Sequence, residues 1–217
     1  MDLPRLLFAI VLGVSVTATI LWSVALLAGA RAASGRADEG GGALAILSTL
    51  GLLSGLVEVT TLASGRFFDP RAPAVALVVG VLVVALAKPL RSAVRHAPLG
   101  LLAVIGALRL VGVTHFAAYA EGWLPQTYAL FAAVSDVLVG LAAIPLALRL
   151  GRREARDEMF ARLWAALGFV TLVASVALGL VYVRPMPGFG ALRVMFLDVL
   201  FAGAHLALFA ALRRPRG

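Results

Sequence analysis

The chain has 217 residues, 62% hydrophobic and only 14% charged, with no cysteine and a formal charge of +8. Soluble domains carry roughly 45–50% apolar and about 25% charged residues, so this composition excludes an ordinary water-soluble core at this length, and the lack of thiols excludes disulfides, thiolate-held iron–sulfur clusters and cysteine nucleophiles. The basic excess sits beside apolar runs, which marks it as a topology signal and a contact with anionic headgroups on the inner side of a bilayer rather than a nucleic-acid surface.

Seven apolar segments follow one another, at about 5–29, 42–64, 73–90, 98–119, 127–149, 163–183 and 191–212. Each is long enough to cross about 30 Å of hydrocarbon at about 1.5 Å per residue. Backbone groups cannot go unpaired in lipid, so the segments are predicted to be helices. The expectation is therefore an all-α fold: a polytopic transmembrane helical bundle of seven spans forming a single integral membrane domain over residues 1–217.

The first segment is preceded only by Arg5 and its apolar run exceeds a signal-peptide core, so it reads as an uncleaved span. The interval 31–41 follows, and the Gly- and charge-rich stretch 34–42 that overlaps it reads as a flexible linker. The second segment carries Ser54, Glu58 and Thr61 on one stripe, and Gly51 and Gly55 at helix-packing spacing. The third is short and ends at Lys88-Pro89, with 91–97 as the next loop. The fourth and fifth meet at a short turn, Gly122-Trp123-Leu124-Pro125, and in the fifth Ala132, Asp136 and Gly140 share a face. The mixed charges of 149–162 fit a short interfacial helix, but the stretch reads rather as a solvated connector with anchoring arginines.

Lys and Arg set the orientation. One side gathers Arg31, Arg36, Lys88, Arg91, Arg95, Arg149, Arg152, Arg153, Arg156, Arg162, Arg213, Arg214 and Arg216; the other has Arg5, Arg66, Arg71, Arg184 and Arg193. By the positive-inside rule the N-terminus lies outside and the C-terminus inside, in the bacterial cytoplasmic membrane.

Ionisable groups within spans are costly and mark candidate sites. Glu58, Arg109, His115, Asp136, Asp198 and His205 qualify. At about 1.5 Å per residue, Glu58, His115, Asp136 and Asp198 fall within roughly 6–13 Å of the outer ends of their spans, and His205 lies about 21 Å deep. Arg109 lies nearer the midplane, as a counter-charge for Asp136 or Asp198. Asp198 and His205, seven apart, share a face, whereas His115 is turned about 120° from Arg109 on an α-helix.

These residues point to a small-molecule or proton-linked binding or transport site in the outer half of the bundle. An accessory or assembly subunit fits the small-residue faces equally. A haem held by two histidines meets an offset of about 14 Å between His115 and His205. His96, His115 and His205 are the only histidines and do not converge on a metal, Lys88 is the only lysine and is misplaced for a retinal Schiff base, and no Gly-x-Ser-x-Gly elbow occurs. No cofactor, metal or enzymatic activity is expected; a protein partner or homo-oligomer is left open.

The run Arg109-x-x-Gly112, then Gly122-x-Leu124-Pro125, then Asp136-Val-Leu-Val-Gly140-Leu-Ala-Ala and a late His205-Leu206 resembles a pattern in uncharacterised bacterial multi-pass membrane proteins. Those proteins usually have Gly-Asp where this chain has Ser135-Asp136. The resemblance covers the fourth, fifth and seventh segments, transfers no activity, and implies that Arg109, Asp136 and His205 belong to a shared core.

Overall fold

A computed structural model describes residues 3–34, 87–150, 155–182 and 197–213, and all regular structure among them is helical. The helices are α1 (Leu3–Ser34), α2 (Lys88–His96), α3 (Leu99–Ala120), α4 (Gln126–Arg149), α5 (Ala155–Tyr182) and α6 (Asp198–Ala211). Four stretches are long and apolar enough to cross a membrane: Ala9–Ala33, Leu99–Ala120, Gln126–Arg149 and Asp157–Gly179. Their outward faces confirm this chemistry. Val16 and Ile20 of α1, Leu138 and Leu141 of α4, and Leu163 and Val170 of α5 are all exposed. A helix apolar on every face is solvated by lipid, not water, and the protein is membrane-associated on this ground.

Hydroxyls are handled the same way. In α1 the side chains of Ser15, Thr17, Thr19 and Ser23 donate to the carbonyls of Val11, Gly13, Ser15 and Thr19, one turn back, at 2.8–2.9 Å. No water is needed to satisfy them.

Helix α3 packs on α4, α4 on α5, α5 on α6 and α6 back on α3, which closes a four-helix ring. Helix α1 joins the outside, with the Trp22 Nε1 donating to the Leu200 carbonyl of α6 at 3.0 Å. The α3–α4 turn ends α3 with two back-bonds, from Trp123 N to the Ala118 carbonyl at 2.9 Å and from Gly122 N to that of Tyr119 at 2.8 Å. This closure puts its C′ residue in the left-handed region, and Gly122 occupies it with φ +72°.

The structure corrects three local expectations. Residues 91–97 are mostly not a loop: α2 runs on to His96, with Pro89 in its first turn. Proline lacks an N–H that the first turn leaves unbonded anyway, so it starts a helix as readily as it ends one. Leu90, Ala93 and Val94 are buried while Lys88 and Arg95 are exposed, which makes α2 amphipathic. Helix α5 begins at Ala155, inside the expected connector, with Asp157 and Glu158 in its first turn where the helix dipole favours acids. Within α3, residues Leu108–Val113 form a 3-10 helix rather than an α-helix.

The second segment, most of the third, and the first part of the seventh lie outside the described residues. So does Glu58.

Candidate functional site

The 3-10 stretch matters because it changes which side chains line up. Three residues per turn stack i with i+3, so Arg109 and Gly112 lie on one edge. The same tightening carries His115 back to nearly the Arg109 side, instead of about 120° away. Arg109 and His115 are both buried. They remain apart along the axis by about 11 Å, from the rise of the intervening residues.

Arg109 has no exposed surface and sits at the centre of the four-helix ring. Its Nε and Nη2 both donate to Oδ1 of Asp136 in α4, at 3.0 and 2.7 Å. Nη2 also donates to the Thr171 hydroxyl in α5 at 3.1 Å. Nη1 donates to the Gly168 carbonyl of α5 at 2.7 Å and to Nε2 of His205 in α6 at 3.2 Å. A guanidinium has five N–H groups and no acceptor, so every donor of Arg109 is used, and one side chain of α3 ties α4, α5 and α6 together. The Thr171 hydroxyl in turn donates to the Gly168 carbonyl at 3.0 Å.

Two glycines make room for this cluster. A Cβ on Gly168 would fall inside the His205 imidazole, and a Cβ on Gly112 would collide with that of Asp136. The indole of Trp164 lies over His205 with centroids 4.4 Å apart and anchors itself by donating Nε1 to the Val139 carbonyl at 2.9 Å.

The proton on His205 follows from its partner. Arginine can only donate, so Nε2 accepts and the ring hydrogen belongs to Nδ1. Nδ1 is buried and has no hydrogen-bond partner among the described residues.

Residues 71–213 match a family model described as Domain of unknown function (DUF8737). The chain belongs to this family. No curated protein and no solved structure matches it. The DUF8737 region runs through α2 to α6 and so contains Arg109, Asp136, Gly168, Thr171 and His205, while α1 lies outside it.

The six candidates from the sequence therefore divide. Arg109, Asp136 and His205 come together, and Asp136, not Asp198, is the acid on Arg109. His115 is in a second layer, donating Nδ1 to the Gly112 carbonyl at 3.2 Å and meeting the Tyr128 ring edge-on at 5.7 Å. Asp198 is half-buried in the first turn of α6. It lies seven residues, or about 10 Å, from His205 along the helix. Gly168 faces His205 and Arg162 donates to the Leu212 carbonyl, a register of antiparallel α5 and α6 that sets Ser175 level with Asp198. Ser175 is buried and its hydroxyl has no partner among the described residues. No group of three or more His, Asp or Glu among the described residues is placed to hold a metal.

Sequence reasoning missed Trp164, Gly168 and Thr171. Their signal was a shared stripe of α5, at spacings of four and three, running on to Ser175.

Proposed function

We propose that this DUF8737 protein is a proton-linked membrane protein that binds or moves a small solute, with Arg109, Asp136 and His205 as its charge-bearing centre. We place it in the bacterial cytoplasmic membrane as a seven-span bundle with the basic end inside and the N-terminus outside. The observation that carries this reading is that one guanidinium is the common partner of both titratable groups of the inner layer. Arginine keeps its charge, so any change in proton occupancy falls on Asp136 or His205. A proton on Asp136 removes the counter-charge of Arg109. A proton on Nε2 of His205 removes the acceptor for Nη1. Either event loosens the clamp joining α3 to α4, α5 and α6, so proton binding and helix packing are coupled through Arg109.

The test is proton movement into liposomes containing the purified protein, followed with a trapped pH-sensitive dye under an imposed gradient. Wild type is expected to dissipate the gradient, alone or on addition of a solute from a panel, and Asp136→Asn to abolish the effect while still inserting. Equal rates in wild type and Asp136→Asn would remove the charge pair from the mechanism.

A second reading, an accessory or assembly subunit, is favoured by the saturation of Arg109. All its donors are used within the protein, as in a pin that fixes helix register. A stoichiometric partner on mild purification supports that reading. Haem ligation gains no support: Nε2 of His205 is engaged by Arg109, and His115 belongs to the other layer.

A further inference from the structure

Helix α2 has only nine residues, about 13 Å, and lies just before a candidate span that begins at Leu99. Its apolar side is used up. Leu90, Ala93 and Val94 are buried, and Gly29 of α1 packs so closely that a Cβ there would strike the Ala93 backbone. Its other side presents Lys88 and Arg95, seven residues apart on one face and both exposed. The rest of that end of the bundle repeats the charge. Arg31 closes α1, Arg149 closes α4, Arg162 lies in the third turn of α5, and Arg213 follows α6; all four are exposed. Arg162 also caps the Leu212 carbonyl, and Arg213 covers the Phe209 ring. Among the described residues the acids at this end are Asp157 and Glu158, half-buried in α5. Toward the opposite end lie Glu121, Asp198 and, at the start of α1, Arg5.

We infer that the outer face of α2, with Arg31 beside it, is a docking surface for anionic phospholipid headgroups. This face matches the headgroup layer in charge and in level. A short amphipathic helix whose apolar face is taken by its own protein turns its cations to the headgroup layer, where anionic lipid attracts each one. Neutral lipid offers the same hydrocarbon without the field. This inference stands on the placement of α2 and not on the proton-linked reading.

The experiment compares spin-labelled phosphatidylglycerol with spin-labelled phosphatidylcholine around the full chain reconstituted in phosphatidylcholine membranes. The fraction of motionally restricted label gives the relative association of the two lipids. Wild type is expected to prefer the anionic lipid, and Lys88→Gln/Arg95→Gln to weaken that preference by about fivefold per cation removed. The charge-keeping pair Lys88→Arg/Arg95→Lys should retain it. Measured on wild type alone, the preference should also fall at high salt, since exposed charges are screened. Equal association of both lipids with wild type would overturn the inference and leave the face to an acidic protein surface. So would a preference that persists at high salt, or in a folded glutamine variant.

Discussion

Arg109 grips Asp136 through two of its own N–H groups on a single carboxylate oxygen, at 3.0 and 2.7 Å, with the pair withdrawn from solvent. Removing either partner alone leaves an uncompensated charge inside the bundle, whereas removing both leaves none. Breaking such a pair costs about 3–5 kcal/mol, while replacing it with apolar groups is often neutral. Arg109→Leu and Asp136→Leu should each destabilise the protein by roughly that much. The double variant should be far more stable than the sum of the singles implies. Thermal unfolding of all four proteins in one detergent gives the cycle, and simple additivity would show that the two groups are not coupled.

Gly168 predicts a second coupling. Its Cα faces the His205 ring so closely that a methyl group has no space. Overpacking of this kind costs about 1–3 kcal/mol. Gly168→Ala should therefore lower the melting temperature clearly, and His205→Ala should restore part of the loss by vacating the same volume. A Gly168→Ala protein as stable as wild type would show that the ring moves aside freely.

The apolar runs of α1, α3, α4 and α5 were legible because lipid-facing and core-facing positions are both apolar, so length alone marks a span. The presence of a counter-charge for Arg109 was legible too, since a buried arginine requires one. Which acid supplies it was not. Asp136 and Asp198 have the same chemistry, and the choice depends on helix register, which no local signal encodes. The 3-10 stretch was hidden for a related reason: Leu108–Val113 has the same apolar composition as the α-helical turns around it, yet it turns His115 back toward the Arg109 side. Gly168 and Thr171 carry no charge, and the stripe they share with Trp164 and Ser175 reads as ordinary helix packing until the guanidinium points at it. Pro89 misled because proline suits a first helical turn as well as a stop.

Thr171 offers a near-isosteric test of how fully Arg109 is satisfied. Its hydroxyl accepts from Nη2 at 3.1 Å and donates to the Gly168 carbonyl at 3.0 Å. Valine keeps the shape and removes both bonds. A buried donor left unpaired costs about 1–3 kcal/mol and a charged one more, so Thr171→Val should be destabilising by at least that much, and Thr171→Ser nearly silent. Equal stability of the valine and serine variants would mean that Nη2 is adequately served by Asp136 alone.

The α3–α4 turn gives a prediction independent of the charge cluster. Gly122 has φ +72° and open space around its Cα, so a side chain there meets no neighbour and only the backbone conformation resists it. That conformation costs an L-residue roughly 1–2 kcal/mol. Asparagine, whose short side chain tolerates the left-handed region, costs less. The expected order of stability is therefore glycine, then Gly122→Asn, then Gly122→Ala, then Gly122→Val, because branching at Cβ adds to the strain without adding any contact. Melting temperatures in a common detergent check the order. If alanine matches glycine, the turn has relaxed to another closure, and the back-bonds from Gly122 to Tyr119 and from Trp123 to Ala118 do not hold the hairpin that aligns Arg109 with Asp136.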